Sequence, residues 1–299
     1  MLRRLQCFII VAEEMNLRSA ARRMGVSQPA VSAQLQSLEK KLGFDLLVRD
    51  QQRILGLTAA GTLYLAEARR VLFEMDHAAS AAIAIAAGKT AMIRLGICEE
   101  VASIDRLDPL CRAFREDFGN MGFEFFEVPI LQSVNAVRTG EIDIALTILP
   151  GSAIGLDAVG LWQEPWVVVL PEQHRLAHRS ELTCSDLADT PLVLGHAELG
   201  AGAHFLVRDA FVQADVEPQV STQVMRRSTL LTLVNAGMGA SFVPAPIARL
   251  GLPGLAMVPF RAPAMTITAL CGPKAEAPVR MVMEGIVRLV ASACDRASS

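Results

Sequence analysis

The chain has no uncharged apolar run long enough to span a bilayer, which argues against a transmembrane helix. Its start also lacks a basic-then-apolar leader, because Arg3 and Arg4 precede an amphipathic pattern of Leu5, Phe8 and Ile9, so a cytoplasmic protein is expected. Cysteine is sparse and scattered. The six residues, Cys7, Cys98, Cys111, Cys184, Cys271 and Cys294, include no Cys-x-x-Cys and no partnered histidine spacing, which disfavours a zinc site or a disulfide framework. Ordinary buried thiols are the simpler reading, and a redox-sensing pair stays open. Catalytic signatures are missing as well: there is no Gly-x-Ser-x-Gly, no Walker loop and no His-Glu-x-x-His, and Gly237-Met238-Gly239 lacks the third glycine of a dinucleotide fingerprint. His174 and His178 stand four apart like a metal pair, but Pro171 and polar neighbours place them on a surface loop. Neither an enzyme nor a metal or cofactor is expected.

Net charge is equally uninformative for the chain as a whole, with 28 basic and 31 acidic groups. Its distribution is not. Residues 1–61 hold nine basic groups and five acidic ones, a net of +4, which leaves 19 and 26, a net of −7, for the rest. A positive head attracts a polyanion that the acidic body repels, so a nucleic-acid surface belongs at the N-terminus. With 299 residues and 52% apolar content, the chain can build a small head and a larger α/β body.

Residues 16–43 read as two helices about a tight turn, the shape that enters a DNA major groove. Ala20, Ala21 and Met24 give the first helix a small apolar face, Gly25 tolerates positive φ in the turn, and Val26 plugs it. Ser27 is expected to cap the second helix and Pro29 to preset its first turn. Val31, Leu35 and Leu38 then face inward, leaving Gln28, Ser32, Gln34 and Gln36 for base edges or phosphates. The alternative is a helical hairpin whose polar face merely meets water.

Residues 46–49 and 54–58 are apolar segments separated by Asp50-Gln51-Gln52-Arg53, a two-stranded wing whose Arg49 and Arg53 either follow the phosphate backbone or stay solvated. From Thr58 to about Ala87, Leu65, Ala68, Leu72, Met75, Ala79, Ala82 and Ala86 recur at helical spacing, a seam for self-association or for packing on the chain's own body. Self-association is favoured, since a two-fold pair of heads reads two half-sites. After Gly88-Lys89-Thr90 strands and helices alternate: strands at 93–97, 123–128 and 142–148, then 166–170, 191–194, 242–244 and 265–270, with a closing helix at 279–294. The repetition predicts mainly parallel sheet in two lobes joined by two crossing segments, with a cleft between them.

Taken together, these features resemble the LysR-type transcriptional regulators. The resemblance rests on Ser19-Ala20-Ala21, Ser27-Gln28-Pro29-Ala30-Val31-Ser32, Leu38-Glu39, Leu42-Gly43, Arg49 and Leu57-Thr58-Ala59-Ala60-Gly61. Further along, Gly140-Glu141-Ile142-Asp143-Ile144-Ala145-Leu146 and residues 233–244 resemble the family's sensor segments. It implies a multidomain fold: a winged helix-turn-helix DNA-binding domain (residues 1–60), a dimerising linker helix (61–89) and an α/β effector domain (90–299). The effector domain would have two Rossmann-like lobes resembling periplasmic binding proteins, lobe I at 90–161 and 265–299, lobe II at 162–264. Implied partners are double-stranded DNA, a small-molecule effector, RNA polymerase and further copies of the chain as homodimer or homotetramer, with no membrane. Arg18, Ser27, Gln28, Pro29, Ser32, Gln34, Gln36, Arg49 and Arg53 are the expected DNA contacts, and Leu65, Leu72, Met75, Ala79 and Ala82 the dimer contacts.

Carried over by position, the cleft is lined by Cys98, Glu99, Glu100, Ser103, Ile130, Leu131, Gln132, Thr147, Ser228 and Thr229, with His196 and His204 flanking a glycine-rich stretch. Glu100 stands where many relatives place a hydroxyl for an effector carboxylate, beside Glu99, and a carboxylate pair repels anions. The expected effector is therefore cationic, zwitterionic or largely apolar; alternatively, both glutamates face solvent at a helix N-terminus, where negative charge is favoured anyway. A transport-type binding protein would share two lobes but not the DNA-reading head.

Overall fold

The structure is a computed structural model that describes residues 1–50, 53–102, 107–149, 153–196 and 202–297, the side chains of 202–206 and 292–297 excepted. Two compact units divide at Ala87 and Gly88.

The first unit opens with α1 (Leu2–Glu14), α2 (Leu17–Met24) and α3 (Gln28–Leu42). Asn16 stops the chain between the first two helices and starts the second, its Oδ1 accepting from the N–H groups of Arg18 and Ser19 at 2.9 and 3.1 Å. Gly25, at φ 65°, ends α2 in the left-handed conformation that glycine adopts without a Cβ penalty, and turns the chain into α3. Pro29 lies in the first turn of α3 as expected. Ser27 occupies the cap position but its hydroxyl makes no cap hydrogen bond, so the helix start depends on backbone geometry and Pro29. Two antiparallel strands, β1 (Leu47–Asp50) and β2 (Arg53–Leu57), form the wing. Thr58 caps the long helix α4 (Ala59–Ala86), its hydroxyl accepting from Gly61 N–H at 2.8 Å.

Phe8, Val31, Leu35, Leu38 and Leu46, each at most 1% exposed, form this unit's core. Ala68 of α4 joins it, and Leu65 and Leu72 pack on its margin. The seam read from sequence is therefore two surfaces, because the first half of α4 completes its own unit's core. Beyond it Val71, Met75, Ala79, Ala82, Ile83 and Ile85 are exposed.

The second unit holds two lobes. In lobe I the strands β3 (Met92–Ile97), β4 (Gly122–Glu127), β5 (Ile144–Ile148), β6 (Asp157–Glu164) and β12 (Met265–Cys271) form one sheet in the order β4-β3-β5-β12-β6. Helices α5 (Glu99–Ala102), α6 (Leu107–Asp117), α7 (Ile130–Thr139) and α10 (Ala277–Ala297) accompany it. Lobe II contains β7 (Trp166–Pro171), β8 (Leu192–Gly195), β9 (Val220–Val224), β10 (Ser241–Pro244) and β11 (Leu255–Pro259), with α8 (Gly202–Gln213) and α9 (Arg227–Asn235). Here β10-β7-β11 is one ladder and β8-β9 another, bridged by Val193 N–H on Ala240 O and Ala240 N–H on Pro191 O, both 2.8 Å. The resulting order, β9-β8-β10-β7-β11, repeats that of lobe I.

Neither sheet is wholly parallel. β12 runs antiparallel to β5 and β6, and β7 antiparallel to β10 and β11. These are the strands that arrive from the opposite lobe, so they enter from the cleft side, against their neighbours. The first crossing falls at Pro165, because β6 continues pairing with β12 through Glu164, past the expected boundary at residue 162. Proline has no N–H to extend the ladder there. The second crossing is residues 260–264, between β11 and β12. No helix among the described residues is long and apolar enough to cross a membrane.

Candidate functional site

On α3 the buried side chains Val31, Leu35, Leu38 and Glu39 define one face, and Pro29, Ala33, Gln36 and Lys40 are exposed on the other, with Ser32 half-buried beside them and Gln28 exposed as the first residue of the helix. This face combines neutral hydrogen-bonding side chains, a small apolar group and one cation, the mixture that base edges, thymine methyls and phosphates accept. Gln34 does not belong to it. Two residues from Gln36 is about 200° around the helix, so Gln34 turns toward the unit's interior and its Oε1 is buried.

Glu39 is 7% exposed and accepts from Leu46 N–H at 3.0 Å and from Arg49 Nη2 at 2.7 Å. One carboxylate thus ties α3 to the start of the wing. Arg49, expected on the phosphates, is engaged in this pair with its side chain 32% exposed, whereas Arg53 is exposed near the wing's tip and Arg18 at the first turn of α2. Arg23 braces the scaffold from α2, pairing with Glu13 at 2.9 Å and Glu14 at 3.2 Å.

In the second unit a cavity of about 640 Å³ lies between the lobes. Lobe I contributes Glu99, Glu100, Glu127 and Ile130; lobe II contributes His196, Arg226, Arg227 and Ser228, with Trp166 and Phe242 from the strands β7 and β10. Its walls carry opposite charges. Arg227 spans them, Nη1 donating to the Glu99 carbonyl at 3.4 Å and standing 3.9 Å from its carboxylate. Behind lobe I's wall, Ser133 and Thr147 are buried with their hydroxyl oxygens 3.1 Å apart, next to Cys98. Burial and the nearby Glu100 push the Cys98 thiol up to about 12, so it is a protonated packing group.

Two family models match the chain: the bacterial regulatory helix-turn-helix protein, lysR family, over residues 2–62, and the LysR substrate binding domain over residues 86–283. The chain belongs to the LysR family of transcriptional regulators. Among its relatives it is 31% identical over 261 residues to the uncharacterized HTH-type transcriptional regulator YnfL of Escherichia coli K12, covering 86% of each chain. It is also 31% identical over 243 residues to the HTH-type transcriptional regulator AlsR of Bacillus subtilis 168, covering 81% of this chain and 80% of the other. Among solved structures, the LysR family regulator CbnR bound to its target DNA matches with a TM-score of 0.74 and 26% identity, covering 97% of this chain and 99% of that one.

In this LysR-type regulator the cleft gathers Glu99, Glu100, Ile130, His196 and Ser228 from the expected set. Cys98 and Thr147 are corrections: both are buried behind the wall, because the Thr147 hydroxyl is satisfied internally by Ser133. Leu131 and Gln132 are exposed outside the lining, since α7 begins at Ile130 and carries its next residues around the helix. Thr229 is likewise exposed and outside the lining. Ser103 and the His204 side chain lie outside the described residues.

Arg226, Arg227, Glu127, Trp166 and Phe242 also line the cavity and are not among the residues expected from sequence. The arginines correct an acid-lined picture of the cleft. Their signal was present, a pair of arginines just before the expected Ser228 and Thr229.

Proposed function

We propose that this LysR-type regulator reads operator DNA through the exposed face of α3, with Gln28, Ser32 and Gln36 at base edges, Ser27 and Pro29 at the helix start, and Arg18 and Arg53 on phosphates. Arg49 acts through Glu39, holding the wing at its angle to α3. The observation that carries this reading is the row of exposed Gln28, half-buried Ser32 and exposed Gln36 on a helix that buries Val31, Leu35 and Leu38. The division of labour is residues 1–60 for DNA, 61–89 for self-association and 90–299 for effector binding.

Exposed Val71, Met75, Ala79, Ala82 and Ile83 on α4 form the face on which a second copy packs, giving a homodimer or a homotetramer. The interlobe cavity receives a small-molecule effector, and the output passes to RNA polymerase in the cytoplasm. We read the chain as a regulator without catalytic activity, supported by the regulator relatives and the lack of a catalytic motif. Selection of genomic fragments by the purified full-length protein, followed by footprinting, tests the reading. Protection of two dyad-related half-sites spaced by about one helical turn or a multiple of it is expected. Uniform, sequence-independent retention would refute it.

A further inference from the structure

The cavity's charges are sorted by lobe. Glu127, at the end of β4, is exposed and makes no ion pair among the described residues; Arg226, just before α9, is likewise exposed and unpaired among them. The two line the same cavity from opposite lobes, together with Ile130, Trp166 and Phe242, which are each at most 2% exposed. Its volume of about 640 Å³ is within the range of small-molecule sites, roughly 300–1,000 Å³.

Each simpler class of ligand leaves a charge badly served. A lone carboxylate satisfies Arg226 but brings a like charge toward Glu127 and Glu100, and a lone amine reverses the problem. A neutral apolar molecule desolvates both charges and pairs with neither. A molecule carrying one charge of each sign can pair with both walls. We propose that the effector is a zwitterion of the amino-acid class, its carboxylate taken by Arg226 and its ammonium by Glu127. This rests on the cleft being the effector site and names the chemistry that site selects.

Three compounds with one phenyl body separate the charges: phenylalanine, 3-phenylpropanoate and 2-phenylethylamine. Leucine, 4-methylpentanoate and 3-methylbutylamine form the aliphatic set. Calorimetric titration of the full-length protein should show the zwitterion of at least one set binding tenfold or more tighter than both of its singly charged analogues. The Glu127→Gln variant should lose that advantage over the carboxylate, and Arg226→Ala the advantage over the amine, while circular dichroism reports whether each variant is folded.

Equal or tighter binding of either singly charged analogue overturns the inference, as does no binding by any of the six compounds. Footprinting the same preparation on its selected DNA keeps the two failures apart. A specific footprint with the wrong ligand preference refutes only the zwitterion, whereas loss of the footprint refutes the regulator reading itself.

Discussion

Gly61→Ala sets two opposing effects against each other in the first turn of α4. Alanine is the better helix former by about 1 kcal/mol, so propensity alone predicts a more stable protein. The packing predicts the reverse. A Cβ at residue 61 would lie 1.9 Å from the Leu46 carbonyl oxygen and 2.8 Å from its carbon, both backbone atoms. Leu46 cannot easily withdraw, because its oxygen accepts from Thr58 N–H at 3.0 Å and its own N–H donates to buried Glu39 at 3.0 Å. Relief requires α4 or the wing to shift by roughly an ångström, straining the Thr58 cap at the same time. Overpacking of this kind costs about 1–3 kcal/mol, with about 1 more for a weakened hydrogen bond, so the net expectation is a loss of about 1–3 kcal/mol. Gly56→Ala is the control, since a Cβ there meets nothing within 4 Å. Urea unfolding followed by far-ultraviolet circular dichroism reads the change. Tryptophan fluorescence separates the units, as Trp162 and Trp166 both lie in the second and should keep their midpoint. A Gly61→Ala midpoint equal to or above wild type would show that the junction of wing and helix yields freely, and the reasoning would fail.

Gln28→Ala should weaken binding to the selected operator by about 1–3 kcal/mol while leaving nonspecific DNA affinity nearly unchanged, as read by competition titration. Arg53→Ala should instead weaken all sequences alike and flatten the salt dependence; a loss confined to the operator would reassign it to base reading. Glu39→Gln keeps an acceptor for Leu46 N–H but removes the charge facing Arg49, and should cost about 1–2 kcal/mol, less than Glu39→Ala, in the dichroism transition. Cys98 carries a pH dependence: its folded thiol is held up to about 12 from an ordinary 9.0, so its contribution is complete below about pH 9 and declines as pH rises toward 12. Between about pH 8 and pH 10, Cys98→Ala should lose less of its stability than wild type, measured by urea unfolding on tryptophan fluorescence. Parallel curves would place the alkaline loss elsewhere.

The DNA-binding unit was legible because its signals are local. A left-handed Gly25, a first-turn proline and an apolar row spaced by three and four each act within one turn of helix. What escaped was side-chain partnership across the sequence: Arg49 looks free in the wing until Glu39, ten residues earlier, is seen beneath it. Gln34 is like its glutamine neighbours in type and differs from them only in its angular position on α3. In the effector unit, buried strands such as β5 and β7 announced themselves as continuous apolar runs. Exposed β9, with Ser221, Thr222 and Gln223, gave no such run, β11 offered only Leu255 to Val258 before Pro259, and the antiparallel strands depend on a chain that leaves a lobe and returns about a hundred residues later, which no local pattern encodes. The cleft shared this limit, since strand ends pointed to lobe I residues while Arg226 and Phe242 come from segments far apart in sequence.

How far an effector can drive this protein depends on how firmly the two lobes are held together. Among the described residues, the Arg227–Glu99 contact spans the lobes at 3.9 Å, with the glutamate side chain 45% exposed, and a pair of that length and exposure contributes about 0–1 kcal/mol. Pro165 and residues 260–264 carry the chain between the lobes, short crossings that can absorb a change in lobe angle at a few dihedrals. Apolar packing also joins the lobes, one buried cluster running from Leu95 and Leu146 of lobe I to Trp166 and Val168 of lobe II, so a ligand that changes the balance between two lobe arrangements works against packing as well as this pair. A differential affinity of about 1.4 kcal/mol already shifts the ratio tenfold, within reach of one charge pair formed in only one arrangement. A ligand with both charges can pair with both walls only where the lobes hold those walls within its reach, so its affinity depends on lobe spacing. A singly charged ligand has its full attraction in either arrangement and, however tightly it binds, has little with which to move the equilibrium.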